Sequence, residues 1–157
     1  MNGPAQVVLP LPDRCQITPG QPLRGAPYLP SSKYYTARSI LAAALATGVS
    51  TVRNPALTDD TAVLVRALTE LGARCTVLPS AAGLRIQGTG GVLATPPSGV
   101  IDAGNAGAVL RLLLGVGATL PEVRFTTPFP ESLGRRPNAD LLDALAQLGV
   151  QAEAGGP

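Results

Sequence analysis

Residues 64–78 read LVRALTELGARCTVL and hold a helix, a stop and a strand in close succession. Leu64, Leu68 and Leu71 recur at helical spacing, Gly72 falls where a helix ends in the left-handed conformation that glycine adopts cheaply, and Cys75–Leu78 is β-prone. The pattern returns in ILAAALATGVSTVRN (40–54), LRLLLGVGATLPEVRF (110–125) and LLDALAQLGVQAEA (141–154). Helix, glycine and short strand is therefore the local unit of an α/β chain.

Two of the four copies match best, and their glycines, Gly72 and Gly149, stand 77 residues apart. The spacing predicts a duplicated unit, one copy over about 23–87 and the other over about 99–157, joined by the Gly/Pro-rich GTGGVLATPPSG at 88–99. No helix or sheet buries its apolar face alone, so helices are expected in the middle with sheets outside. The segment AVLRLLLGVGA (108–118) is apolar nearly all round except for Arg111, which predicts a central, buried helix.

At 157 residues the chain is one domain, 45% hydrophobic and only 14% charged, with a core of Leu, Val, Ile and Ala because aromatics are few. Twelve basic and ten acidic side chains give a net charge of +2, and apart from Arg135 and Arg136 the cations are scattered. That excludes the clustered patch nucleic acid needs. Histidine is absent and Cys15 and Cys75 lie 60 residues apart, which removes the usual zinc spacings and every histidine-dependent triad; reduced thiols are expected. Neither a signal peptide nor a membrane-length apolar run is present, so a cytoplasmic protein without membrane contact is expected.

Three places invite an anion. In IDAGNAGAVLRLLLG (101–115) a turn precedes a helix, whose free N–H groups and positive end suit phosphate, and Gly107 would let an oxygen approach. A plain tight turn is the other reading, and the stretch fits neither the dinucleotide nor the Walker pattern. GTGG at 88–91 is a weaker case, because prolines and no helix follow it. In ESLGRRPNADLLDALAQLGV (131–150), Arg135 and Arg136 precede a helix start, against the dipole preference, so they ask for an external anion or are a solvated pair.

The third place is PSSKYYTAR (30–38), which contains Lys33, the only lysine, and Arg38. Ser31 or Ser32 can cap that helix, and the two cations come near each other only if Lys33 belongs to an irregular first turn. In NPALTDDTAVLVRALTELGA (54–73), Thr58 or Asp59 is read as the cap and Asp60 as a favourable first-turn charge without a catalytic role.

In order and spacing, PSSKYYTAR, NPALTDDTAVLVRALTELGA, DAGNAGAVLRLLLG and ESLGRRPNADLLDALAQLGV resemble the N-proximal part of the 5-enolpyruvylshikimate-3-phosphate synthases, the 3-phosphoshikimate 1-carboxyvinyltransferases. The resemblance implies an enolpyruvyl-transferase-like α/β domain built from repeated βαβαββ units, with about two of the usual three present. It implies transfer of enolpyruvyl from phosphoenolpyruvate to the 5-hydroxyl of shikimate 3-phosphate, through a tetrahedral intermediate that loses phosphate. No cofactor or metal is implied. By position, Lys33 lies between the two substrates, Arg38 holds the shikimate carboxylate, Gly107 with Asn105 before it supplies the backbone turn for phosphoenolpyruvate phosphate, and Arg136 clamps the same substrate. Tyr34 stands where the family has a serine that contacts shikimate, Thr36 keeps a hydroxyl nearby, and Ala108 replaces a threonine.

The resemblance further implies an N-terminal portion that is inactive alone and completed by the remainder of the synthase in cis or trans, with self-association where apolar surface is left uncovered. The second reading is a non-catalytic, family-derived domain that binds a small anion or a partner chain.

Overall fold

A computed structural model describes Gly20 and residues 24–27, 29–79 and 83–155. Cys15 lies outside the described residues. The elements run α1 (Lys33–Leu45), β1 (Val49–Arg53), α2 (Asp59–Glu70), β2 (Arg74–Val77), β3 (Gly83–Gln87), β4 (Val100–Asp102), α3 (Gly107–Gly117), β5 (Arg124–Thr126), a 3-10 turn at Leu133–Arg135 and α4 (Ala139–Gln147).

β3 is the middle of an antiparallel sheet of order β1-β3-β2, in which Ser50 faces Ile86 and Cys75 faces Ile86 from the other side. β4 and β5 pair in parallel, with Ile101 opposite Phe125. Helices α1, α2 and α3 form the middle layer. α2 packs on α1 and α3 and reaches both sheets through β2 and β4. Ile40, Leu64, Leu68, Ile86, Ile101 and Leu113 are sealed in one core.

The reading of residues 64–78 holds in detail. Gly72 has φ +102°, and Ala73 N–H donates back to the Leu68 carbonyl, a cap that closes the helix while turning the chain into β2. Gly149 repeats it with φ +88° and Val150 N–H bonded to the Leu145 carbonyl.

Two expectations need correction. Among the described residues no strand follows the second cap, since residues 151–155 are irregular. α3 is half-sheathed rather than fully buried: Val109, Leu113 and Val116 face the core while Leu110, Leu112 and Leu114 stay partly exposed. It also passes through Gly115 and ends at Ala118 in the right-handed region, so no left-handed glycine stops it.

Candidate anion-binding site

Ser32 caps α1, accepting from Tyr35 N–H, and this makes Lys33 the first helical residue. Its ammonium would be poorly placed at a positive helix end without an acidic neighbour. That neighbour is Asp60, whose Oδ2 lies 3.0 Å from Lys33 Nζ. The hydrogen bond that Lys33 donates to Asp60, then the Asp60 charge, raise the lysine pKa above its ordinary value, while desolvation and, less, the Arg136 charge pull it down. Lys33 Nζ also sits 5.4 Å from the centre of the exposed Tyr34 ring.

The pair is held by the loop between β1 and α2. Thr36 is buried and its Oγ1 accepts from Ala56 N–H at 2.9 Å, while Thr61 Oγ1 donates to the Ala56 carbonyl at 3.0 Å. One peptide loop thereby ties α1 to α2. The buried Thr36 hydroxyl is a structural tie between α1 and the loop before α2. Thr58 caps α2 in a reciprocal box with Thr61, so Asp60 is released from capping and turns to Lys33. From the sequence Asp60 had only a first-turn role, since the acid three residues before the helical Val63 carries no mark of its long-range partner.

α3 begins after a turn shaped by Asp102, whose Oδ1 accepts from Gly104 N–H at 2.7 Å, and by Thr127, which donates to the Gly104 carbonyl. Asn105 lies exposed in this turn, and no side chain caps the helix. The helix start therefore keeps its polarity for something else. A Cβ built on Gly107 would lie 2.6 Å from Arg136 Nη1 and 3.5 Å from Arg111 Nη1. Glycine here makes room for a guanidinium, where the sequence suggested room for a phosphate oxygen alone.

The two adjacent arginines divide. Arg135 pairs with Glu131 one turn back, and Arg136 turns onto the start of α3. Among the described residues, no ion pair neutralises Arg136 or Arg111. Two guanidiniums and a helix N-terminus of the same sign thus converge, with the Lys33 charge near Arg136. Like charges this close repel, water screens the repulsion because both arginines are exposed, and an anion among them would relieve it further.

Arg38 lies along α1 and donates from Nη1 to the Tyr34 carbonyl at 3.1 Å, which folds it back toward the first turn. Gly107 and Arg136 are therefore in close contact, Lys33 stands over Tyr34 and feels the Arg136 charge, Arg38 is bonded to the first turn of α1, and Asn105 stands in the turn before α3. Arg111 was missed as a site residue; its signal was its isolation as the one charge on an apolar helix. GTGG is no anion site: Thr89 and Gly90 N–H groups bond the Ala44 and Ala46 carbonyls at the negative end of α1.

Four helices, two small sheets and a cluster of cations at the start of α3 define the class, a mixed α/β domain with a cationic helix start. A family profile described as EPSP synthase (3-phosphoshikimate 1-carboxyvinyltransferase) matches residues 17–156, and the chain belongs to that family. It is 42% identical over 135 residues to the 3-phosphoshikimate 1-carboxyvinyltransferase of Deinococcus radiodurans, covering 85% of this chain and 30% of the relative. With the Methanosphaera stadtmanae protein of the same name it shares 42% over 123 residues, 78% of this chain and 28% of the other. EPSP synthase from Acinetobacter baumannii superposes with a TM-score of 0.72 at 28% identity, over 82% of this chain and 30% of that one. The chain thus spans about 30% of the length of these relatives.

Proposed function

We propose that this chain forms one wall of a site for enolpyruvyl transfer from phosphoenolpyruvate to the 5-hydroxyl of shikimate 3-phosphate, with release of phosphate. The observation that carries the reading is the convergence of Arg136, Arg111 and the start of α3 around Gly107, with the Arg136 charge felt at Lys33. Phosphoenolpyruvate brings a phosphate and a carboxylate, and such a cluster offers fork-shaped donors, backbone N–H groups and a movable ammonium.

In this reading Arg136 and the N–H groups at Gly107, after the Asn105 turn, hold phosphoenolpyruvate. Arg38 meets the shikimate carboxylate and Tyr34 borders the acceptor. Lys33 is the catalytic cation. Asp60 uses part of its donor set and fixes its place, and the remaining N–H bonds face the bound anions as negative charge redistributes in the tetrahedral intermediate. Attack by the acceptor oxygen on C2 forms a C–O bond and places a proton on the methylene carbon. Loss of that carbon's proton and of phosphate restores the double bond.

The proposal includes the remainder of the synthase, in cis or trans, as the opposing wall that excludes water, with self-association of the isolated chain through uncovered apolar surface. It places the protein in the cytoplasm, in the pathway to aromatic amino acids. Related units over about 23–87 and 99–157 belong to it as well, and the matching caps at Gly72 and Gly149 support them.

The test is phosphate release from phosphoenolpyruvate that depends on shikimate 3-phosphate. The chain alone should show none, and addition of the remaining part of a family synthase should restore turnover. In the restored enzyme Lys33→Ala should lower turnover ~10²-fold, as for loss of one preorganised donor. Full turnover by Lys33→Ala would end the catalytic assignment.

A further inference from the structure

We infer that Arg111 is a positioning residue that straps the segment carrying Arg136 to the start of α3. The inference rests on the proposed anion role of Arg136 for its functional meaning, though not for its geometry. Arg111 lies one turn into α3, four residues after Gly107, and a helical side chain leans toward the helix N-terminus. Its guanidinium therefore reaches back over the first turn. Nη1 donates to the Gly107 carbonyl at 3.4 Å and Nη2 to the Pro137 carbonyl at 3.1 Å, so one planar group spans two elements.

The second bond falls next to the residue that matters. Arg136 precedes a proline and is confined to extended backbone, observed at φ −75° and ψ 129°. With ψ restricted and the following carbonyl held, the direction in which the Arg136 side chain leaves the backbone is largely fixed. Asn138 Nδ2 ties the Arg136 carbonyl at 3.2 Å, but that bond stays within the segment. Buried Leu133 anchors the segment upstream. Among the described residues, the Arg111 bond to Pro137 is the side-chain hydrogen bond that joins this segment to α3.

The strap also carries an electrostatic cost. It places a second positive charge beside Arg136 and the positive helix end, an arrangement stability alone does not favour. A neutral side chain would avoid the repulsion and lose the fork. Lysine would keep the charge, yet its ammonium lacks the planar fork that meets both carbonyls in one geometry.

The experiment uses the 157-residue chain with two variants, Arg111→Met and Arg111→Lys, and two readouts. Proximity of the Gly107 α-protons to the Arg136 δ-protons is read by nuclear Overhauser effects, and phosphoenolpyruvate binding by titration of the Gly107 and Ala108 amide shifts. The unsubstituted chain should show the proximity; both variants should lose most of it and bind phosphoenolpyruvate about tenfold more weakly or worse. Proximity kept in Arg111→Met overturns the strap. Full recovery of both readouts in Arg111→Lys overturns it too, because charge alone would then suffice. If the unsubstituted chain shows the proximity, the variants lose it, and phosphoenolpyruvate shifts no amide in any of them, the strap stands and the phosphoenolpyruvate reading falls.

Discussion

α2 and α4 carry nearly the same message and meet different fates. Each has leucines at helical spacing, a leucine C-cap, a left-handed glycine and the same back-bond from the residue after it. In α2, Leu64, Leu68 and Leu71 are at most 1% exposed, because α1, α3 and strands β2 and β4 surround them. In α4, Leu145 is 9% exposed, Leu141 and Leu142 are half-buried, and Leu148 is 81% exposed. Among the described residues the main core cluster takes none from α4. A local pattern writes a helix and its end; burial is set by what stands opposite.

The largest effect should come from the leucines themselves. Leu68→Ala removes a sealed side chain and should cost about 2–5 kcal/mol, the range for buried leucine truncation. Leu148→Ala should stay within about 0.5 kcal/mol, as for an exposed surface change. Leu145→Ala should fall between them. Denaturant unfolding of the chain measures all three. Equal costs for Leu68→Ala and Leu148→Ala would mean that α4 is covered in solution, by another copy of the chain, and the contrast would vanish.

The same distinction sets what could be seen in the sequence. Helix periods, both glycine caps, the Ser32 and Thr58 starts and the mixed α/β class were legible because each depends on neighbours within one or two turns. The strand expected after Gly149 failed, since a strand needs a partner across a sheet and five β-prone residues do not supply one. In the site, Lys33 and Arg136 stood out by type and position. Asp60 did not, because its partner Lys33 lies 27 residues away, and Arg111 stood out only as the one charge on an apolar helix, with no sign of its partner Pro137 26 residues away. The tie made by the buried Thr36 hydroxyl was hidden for the same reason: its partner, Ala56 N–H, belongs to another loop.

A smaller effect separates the two helix starts. Thr58 and Thr61 exchange hydrogen bonds in a capping box, whereas Asn138 makes no cap bond to α4 and spends its amide on the Arg136 carbonyl. Thr58→Ala should cost about 1 kcal/mol, the usual loss of a side-chain cap. Asn138→Ala should cost less in unfolding, and its effect should appear instead at the Arg136 segment as increased amide exchange. A larger unfolding cost for Asn138→Ala than for Thr58→Ala would reverse the ranking of the two helix starts.

The smallest effect concerns the first-turn acids, Asp60 of α2 and Asp140 of α4. Asp60 is paired with Lys33, while Asp140 stands outside the ion pairs found among the described residues. Lys33 has its pKa raised by the Asp60 hydrogen bond and charge, so the folded state holds this proton more tightly than the unfolded chain does. The stability from that difference is therefore fully present below the ordinary lysine pKa of about 10.4 and is lost as pH climbs through the raised value. Because the lysine is open to water, the loss is small and shrinks further in salt. The expected observation is a shallow fall in the unfolding midpoint above pH 10 that Asp60→Asn removes and Asp140→Asn leaves in place. If Asp140→Asn removes it and Asp60→Asn does not, the charged tie belongs to α4, and the start of α2 loses the feature that distinguishes it electrostatically.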